Sequence, residues 1–177
     1  MIRKALFLDR DGVINRDYGY VHAISDYHFL PGIFHLCRAA IEKNYILIVV
    51  TNQAGIGRGF YDESAFVHLT HWMEQRFIEE NCQISKVYFS PYHPKEGKGK
   101  YFKDDFSRKP NPGMILRAKE EFGIGLSSSL LVGDKITDIQ AGKRAGVGIS
   151  LLYDPDRTAE AKDPFLVTSL KDVILFL

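Results

Sequence analysis

The chain has 177 residues, of which 45% are hydrophobic and 25% are charged, values typical of a globular protein with a hydrophobic core. Its formal net charge of +1 provides no field that would favour nucleic acid or an anionic membrane surface. We therefore expect neither partner, and we expect one domain over residues 1–177.

Hydrophobic runs and cysteines also bear on location. No apolar run approaches the length that spans a bilayer, and charge follows too soon in MIRKALFLDRDG for a secretory leader. The cysteines, Cys37 and Cys82, show no metal-binding spacing. These features favour a cytoplasmic protein whose thiols are packing residues.

Strand and helix patterns alternate along the chain. Buried strands are predicted in KALFL, YILIVV and SLLVG, and further strands in KVYFS and VGISLL. Amphipathic helices are predicted in PGIFHLCRAAIEKN, DESAFVHLTHWMEQRFIEE, NPGMILRAKEEFG and TDIQAGKRAG, with Asp62 and Asn111 as N-caps and stops at Gly123 and Gly146. This alternation predicts a Rossmann-like α/β fold, a three-layer sandwich whose central, mostly parallel sheet carries helices on both faces.

The connections carry further information. One loop, at about 90–110, is longer than a plain connection in a compact domain and is therefore a candidate functional insertion. Between the first two strands there is room for a short flap and one helix only, which predicts that the protein has no large cap domain.

Polar residues follow three of the predicted strands. Asp9 and Asp11 follow ALFL, Thr51 and Asn52 end the second strand, and Asp134 follows LLVG. Right-handed crossovers place the carboxyl ends of parallel strands along one edge of the sheet, where such folds bind ligands.

Basic residues are expected at the same edge. Arg108 and Lys109 come from the long loop, and Lys135 follows Asp134 directly. Converging carboxylates require a cation, and a site that offers only oxygen ligands suits Mg²⁺. A hydroxyl, an amide and basic groups beside that ion predict phosphoryl transfer.

Taken singly, each motif has a simpler structural explanation. The aspartates of DRDG are as well explained by an Asx turn, Thr51-Asn52 by a loop start, and Asp138 in GDKITD by the first turn of a helix. Arg108-Lys109 alone is typical of a solvated surface. The functional interpretation depends on all of them occurring together, in this order, at strand ends.

FLDRDGVIN, VVTNQAGIGRG, SRKPNPGM and LVGDKITDIQAG resemble the four motifs of the haloacid dehalogenase superfamily of aspartyl phosphatases. Within it, DYGYVH and NQAGIGRG are most similar to the D-glycero-D-manno-heptose-1,7-bisphosphate phosphatases. The resemblance implies a Mg²⁺-dependent sugar bisphosphate phosphatase of nucleotide-activated heptose synthesis, a pathway that can supply lipopolysaccharide, capsule or another glycan. The related histidinol-phosphate phosphatases, or another small sugar phosphatase, are the enzymatic alternative.

The resemblance also implies roles for individual residues. Asp9 would be the nucleophile and Asp11 the general acid and base, with Thr51 and Lys109 on the phosphoryl oxygens. Mg²⁺ would be held by Asp9, the backbone carbonyl of Asp11 and Asp134, with Asp138 orienting a metal-bound water. The substrate-binding candidates are Arg10, Asp17, Tyr18, Gly19, Tyr20, Asn52, Gln53, Arg108 and Lys135.

The sequence departs from the family pattern in the long loop. Many relatives hold a structural zinc there with cysteine and histidine, but the corresponding positions here are Ser90, Tyr92, Asp105 and Ser107. Because structural zinc sites need four good ligands, we predict no zinc.

The sequence also allows two non-enzymatic interpretations. A phosphoacceptor receiver domain also has acidic residues after its first strand, but its phosphorylated aspartate follows the third strand, where this chain has VYFSPY. A retired binding module would not need to keep the complete set of acidic and basic motif residues. We expect a monomer, because no surface pattern indicates an oligomer.

Overall fold

The computed structural model describes residues 2–157 and 165–177. In this part of the chain the sheet has six parallel strands in the order β3-β2-β1-β4-β5-β6. The strands are β1 (Lys4–Leu8), β2 (Tyr45–Asn52), β3 (Lys86–Ser90), β4 (Leu130–Gly133), β5 (Ile149–Tyr153) and β6 (Leu166–Val167). The α-helices are α1 (Ile33–Glu42), α2 (Ala54–Arg58), α3 (Glu63–Glu79), α4 (Gly113–Phe122) and α5 (Ile136–Ala145). Short 3₁₀ turns occupy Ile24–Asp26, Gly99–Tyr101, Leu126–Ser128 and Asp172–Phe176.

Both faces of the sheet are covered by helices. Because side chains alternate across a strand, Leu6 and Leu8 of β1 enter one core cluster while Ala5 and Phe7 enter the other. The first cluster contains the buried faces of α1 and α3, and the second contains those of α4 and α5. The predicted three-layer α/β sandwich is confirmed. Cys37 and Cys82 are buried in the first cluster, as expected of packing residues.

Helix ends follow the predicted chemistry with one exception. The Asp62 carboxylate accepts a 2.8 Å bond from the Ala65 amide, and Gly123 and Gly146 end their helices in the left-handed conformation. The prediction that Asn111 caps α4 is wrong. Its side chain instead donates 3.2 Å to the Asp105 carbonyl of the long loop, and Pro112 holds the N-cap position.

Strand β6 was not predicted. It contains two residues, which is too short for a hydrophobic period to be recognised. Its pairing with β5 depends on the tertiary fold rather than on a local pattern.

The strand order explains where a ligand would bind. The chain passes from β1 to β2 and β3 on one side, and the later strands continue from β4 on the other side of β1. The carboxyl ends of β1 and β4 therefore flank a topological switch point, the usual ligand crevice of such sheets. The Asp9 amide donates 3.0 Å to the Val132 carbonyl, which brings the residues after these two strands together.

Two connections frame this crevice. Residues 9–32 form the flap segment with its single 3₁₀ turn, and residues 91–112 form the long loop before α4. Among the described residues, no helix combines the length and the apolar character that crossing a bilayer demands.

Candidate active site

A cavity of about 460 Å³ opens at the carboxyl edge of the sheet. Most of the residues predicted from the sequence line it, namely Asp9, Asp11, Asp17, Gly19, Tyr20, Asn52, Gln53, Arg108, Lys109 and Lys135. The sequence motifs therefore meet at one place, although Asp9 and Lys135 are 126 positions apart in the chain.

Four predicted residues lie outside this lining. Thr51 is buried directly beneath it, and its Oγ1 accepts a 2.8 Å bond from Gln53 Nε2. Asp134 faces a second cavity, which Tyr18 also lines. Arg10 was predicted to bind substrate, but its guanidinium is 1% exposed and contacts Asp11 and the Val21 carbonyl. The structure thus places Arg10 behind the site rather than in it.

Lys109 is the electrostatic centre of the cavity. Although it is only 3% exposed, its Nζ lies 2.9 Å from Asp9 Oδ1 and 2.7 Å from Asp138 Oδ1, and it donates 2.7 Å to the Val50 carbonyl. Asn52 holds the backbone of Lys109 through two 3.0 Å bonds: its Oδ1 accepts from the Lys109 amide, and its Nδ2 donates to the Lys109 carbonyl. The end of β2 therefore fixes the position of this ammonium group.

Burial and charge act in opposite directions on these groups. Burial alone would lower the pKa of Lys109, but Asp9 and Asp138 raise it above its usual value, so the ammonium stays charged. Burial raises the pKa of Asp9, and Lys109 opposes this shift without cancelling it. The carboxylate of the candidate nucleophile, Asp9, therefore depends on the ammonium group of Lys109 to stay ionised.

Three carboxylates could hold a metal ion. One oxygen from each of Asp9, Asp134 and Asp138 lies within 4.8 Å of the other two. Asp134 Oδ1 is buried and has no hydrogen-bond partner among the described residues, and burial beside Asp9 raises the pKa of this carboxyl to about 7. A partnerless buried carboxylate in an all-oxygen cluster fits a hard divalent cation such as Mg²⁺.

This set differs from the predicted ligands in one respect, because it includes Asp138. The Asp11 carboxylate is bonded to Arg10, Asn15 and Gln53, which is compatible with the predicted ligand at this position, the backbone carbonyl. Asp138 lies in the cluster, with its Oδ1 paired with Lys109 and its Oδ2 accepting from the Lys135 amide at the start of α5. Its role in orienting a metal-bound water stays a prediction.

Position 12 must be a glycine because the Asp134 side chain lies against it. The φ of Gly12, +90°, is in the left-handed region, and a Cβ at this position would come within 2.2 Å of Asp134 Oδ2. Only glycine fits both conditions. The DRDG sequence therefore supplies the turn that lets the β4 carboxylate approach β1.

The flap is attached to the cavity rim by charged groups. Asp17 Oδ2 lies 3.0 Å from Lys135 Nζ, and Asp17 Oδ1 accepts 2.9 Å from the Gly19 amide. Burial alone would raise the pKa of Asp17, but these two contacts lower it below its usual value. Tyr20 packs against Phe60 with ring centroids 4.6 Å apart, and Arg58 bonds to the Tyr20 hydroxyl.

The positions that carry zinc ligands in relatives are joined by hydrogen bonds here. Ser107 Oγ lies 3.0 Å from Ser90 Oγ and 2.6 Å from Asp105 Oδ1, and Lys103 Nζ lies 2.6 Å from Asp105 Oδ2. Tyr92 contributes its carbonyl, which accepts 3.0 Å from Arg108. These contacts connect β3 to the long loop; the absence of zinc itself remains a prediction.

Several cavity residues were not predicted. Tyr61, Ala54 and Thr137 line it, and Asn15 bonds to Asp11 from behind. Asn15 could have been suspected from its place four residues after Asp11. Tyr61 gave no signal, because it lies in the connection between two helices.

Comparisons with known proteins agree with this geometry. The HAD-hydrolase-like family model matches residues 106–172. A D-glycero-alpha-D-manno-heptose-1,7-bisphosphate 7-phosphatase from Burkholderia mallei is 54% identical, over 100% of this chain and 95% of its own. A D-glycero-beta-D-manno-heptose-1,7-bisphosphate 7-phosphatase from Vibrio cholerae is 40% identical, over 98% and 94% respectively.

Two solved structures are similar as well. A HAD-like phosphatase from Mesorhizobium loti has a TM-score of 0.88 and 35% identity, with 98% of this chain and 85% of that one covered. The D,D-heptose 1,7-bisphosphate phosphatase of B. bronchiseptica, complexed with magnesium and phosphate, has a TM-score of 0.82 over 98% of this chain and 97% of that one. At 23% identity, the latter supports the fold. By its sequence likeness over almost the full length of these relatives, the chain belongs to the D-glycero-D-manno-heptose-1,7-bisphosphate 7-phosphatases, a family of the haloacid dehalogenase superfamily.

Proposed function

We propose that this protein is a Mg²⁺-dependent phosphatase that hydrolyses D-glycero-D-manno-heptose 1,7-bisphosphate to the heptose 1-phosphate and inorganic phosphate. The observation that carries the proposal is the contact of Lys109 with Asp9 inside a cavity that also contains Asp11. It supports the proposal because these three residues, which share one space, are the candidate nucleophile, the candidate phosphate-binding cation and the candidate acid. The names of the relatives supply the substrate class.

In the first step, one carboxylate oxygen of Asp9 attacks phosphorus in line. The phosphorus–oxygen bond to the sugar breaks, and Asp11 gives its proton to the departing sugar oxygen, so the products are an aspartyl-phosphate and an alcohol. Lys109 and the Thr51 hydroxyl stabilise the charge on the phosphoryl oxygens. The burial of both residues favours this role, because electrostatic interactions are stronger where water is excluded.

In the second step, Asp11 takes a proton from water, whose oxygen attacks the phosphorus. The bond to Asp9 breaks, phosphate leaves, and Asp11 is protonated again for the next turnover. The divalent ion, held by Asp9, Asp134 and the Asp11 carbonyl, would let an anionic nucleophile approach an anionic phosphate. Asp17, Gly19, Tyr20, Asn52, Gln53, Arg108 and Lys135 would contact the rest of the substrate.

The charges around the two cavities indicate the direction of the bound substrate. The second cavity is lined by four carboxylates, Asp17, Asp134, Asp154 and Asp156, with one arginine, Arg16. A second phosphate would be repelled there. The remote phosphate is therefore expected on the side of Arg108 and Lys135, within the first cavity.

A phosphate-release panel tests the proposal. We expect the α and β anomers of the heptose 1,7-bisphosphate to be hydrolysed with kcat/KM at least about 100-fold above that for histidinol phosphate, because the latter lacks the second phosphate. Turnover should stop when Mg²⁺ is removed with chelator and return when it is added back. Preferential hydrolysis of histidinol phosphate would overturn the assignment in favour of the alternative. Location in the cytoplasm and a monomeric state stay predictions.

Magnesium affinity should depend on pH through Asp134. With its pKa raised to about 7, this carboxyl is largely protonated at pH 6 and ionised at pH 8, so binding at pH 6 must release a proton. We expect the Mg²⁺ dissociation constant to be about tenfold higher at pH 6 than at pH 8. Without the ion, the stability of the folded state depends on pH in the opposite direction. A raised carboxyl pKa stabilises the folded state at low pH, and this contribution is lost as the pH rises towards 7.

Calorimetric titration with MgCl₂ and thermal unfolding at both pH values measure these two effects. The matched variant is Asp134→Asn, which should bind Mg²⁺ weakly at either pH and should remove the pH dependence of the ion's thermal stabilisation. A parent affinity that is equal at pH 6 and pH 8 would contradict the assignment of Asp134 as a ligand that must lose a proton.

A further inference from the structure

The Asp11 carboxylate is held on both oxygens by protein donors. Asn15 Nδ2 donates to Oδ1 at 3.0 Å, and Gln53 Nε2 donates to Oδ2 at 3.0 Å. Arg10 bonds to the carboxylate through Nε at 3.1 Å and Nη2 at 2.8–2.9 Å. These donors together hold the Asp11 side chain in one orientation.

Gln53 is itself oriented by a tyrosine. A carboxylate only accepts hydrogen bonds, so the Gln53 nitrogen must face Asp11, and its oxygen must face away. That oxygen, Oε1, accepts a 2.6 Å bond from the Tyr61 hydroxyl, and Nε2 also reaches Thr51 Oγ1. Burial raises the pKa of Tyr61 to about 12, so the hydroxyl keeps the proton that it donates. In the part of the chain that the structure describes, Tyr61 is the only hydrogen-bond donor to this oxygen, so the orientation of the amide on that side depends on it.

Two of the residues that orient Asp11, Arg10 and Tyr61, also contact the flap segment. Arg10 Nη2 donates 2.7 Å to the Val21 carbonyl, and the His22 ring stacks on Tyr61 with centroids 5.0 Å apart and planes 5° apart. Both residues directly follow the flap residues that line the cavity. The acid is therefore held by the segment that would seat the substrate.

We propose that Tyr61 is a positioning residue for the general acid, acting through Gln53 to hold the Asp11 carboxyl in its productive orientation. Together Arg10, Gln53 and Tyr61 form an acid clamp around Asp11. The inference rests on the proposed function, in which Asp11 protonates the sugar oxygen. It also explains why Arg10, which the sequence suggested as a substrate ligand, is buried behind the cavity.

The clamp should matter only when the leaving group needs a proton. A sugar alkoxide is a poor leaving group and depends on the acid, whereas p-nitrophenolate leaves without protonation. Loss of the Tyr61 hydroxyl should therefore slow the first chemical step with the heptose bisphosphate and leave the same step with p-nitrophenyl phosphate unchanged. A merely structural defect would slow both.

The test compares three variants by rapid quench and stopped flow with Mg²⁺ present. Tyr61→Phe should reduce the single-turnover rate on the heptose bisphosphate by about tenfold, with KM unchanged and the p-nitrophenol burst rate unchanged. Tyr88→Phe is the matched control, because its hydroxyl makes a 2.7 Å bond to Glu121 away from the cavity; neither substrate should be affected. Equal losses on both substrates, or no loss on the sugar, would overturn the role of Tyr61.

Asp11→Asn separates this inference from the proposed function. A selective loss on the sugar substrate in Asp11→Asn but not in Tyr61→Phe refutes the clamp and leaves the acid assignment intact. If Asp11→Asn has no selective loss, the acid assignment and the clamp both fail. Selective losses in both variants, larger in Asp11→Asn, support the inference.

Discussion

Replacing Asp9 by asparagine should lower kcat by about 10⁴-fold or more while the chain remains folded. An amide is a far weaker nucleophile than a carboxylate, so the aspartyl-phosphate cannot form. The amide oxygen can still accept the bonds that Asp9 Oδ1 now accepts from the Arg10 amide, at 2.7 Å, and from Lys109. The substitution also removes one of three crowded negative charges. We therefore expect an unfolding temperature, measured without Mg²⁺, equal to that of the parent or higher.

Phosphate release and thermal unfolding, both followed on the same preparation, measure the two parts of this result. Asp172→Asn is the control, since Asp172 is an exposed aspartate near the chain end and should leave both quantities unchanged. A variant at position 9 that keeps more than about a tenth of the parent kcat would falsify the nucleophile assignment.

The sequence predicted best those features that depend on local pattern. Four of the five longer strands show a mainly buried apolar run, whereas β3 is only partly buried. The polar residues at the carboxyl ends of β1, β2 and β4 could be placed on one edge because parallel topology allows no other arrangement. The Asp62 cap is likewise a local interaction, three residues long. In contrast, β6 depends on its pairing with β5, and Asn111 leaves the capping role because its side chain bonds to the Asp105 carbonyl of the preceding loop.

Side-chain orientation was the part of the site that could not be predicted. The sequence shows that Arg10 lies between two functional aspartates, but whether it faces the substrate depends on the carbonyl of Val21 and on the Asp11 carboxylate. Tyr61 reaches Gln53 only because α2 is short and turns the chain back at Gly59. Asp138 could be assigned to the first turn of α5, but its pairing with Lys109 joins residues 29 positions apart.

Replacing Lys109 by methionine should destabilise the protein without Mg²⁺ by about 3–5 kcal/mol and should abolish turnover. Methionine fills a similar volume but leaves two buried carboxylates, Asp9 and Asp138, without the cation that now lies within 3 Å of both. Removing one member of a buried charge cluster costs the desolvation of the remaining members, which is why the expected loss far exceeds that of a surface ion pair. Lys119→Met, at an exposed lysine of α4, is the matched control and should change the free energy of unfolding by less than about 0.5 kcal/mol.

A double-mutant cycle identifies the cause of that loss. Denaturant unfolding of Lys109→Met, Asp138→Asn and the combined variant should show that the second substitution restores part of the stability lost in the first, because it removes one of the two uncompensated charges. Saturating Mg²⁺ should restore another part, since the ion would neutralise Asp9. If the combined variant is instead as unstable as the sum of the two single variants, the loss comes from packing around the lysine stem rather than from charge. Lys109 would then be a structural residue of the core edge, and the neutralisation of the transferred phosphoryl group would have to be assigned to Arg108 or Lys135.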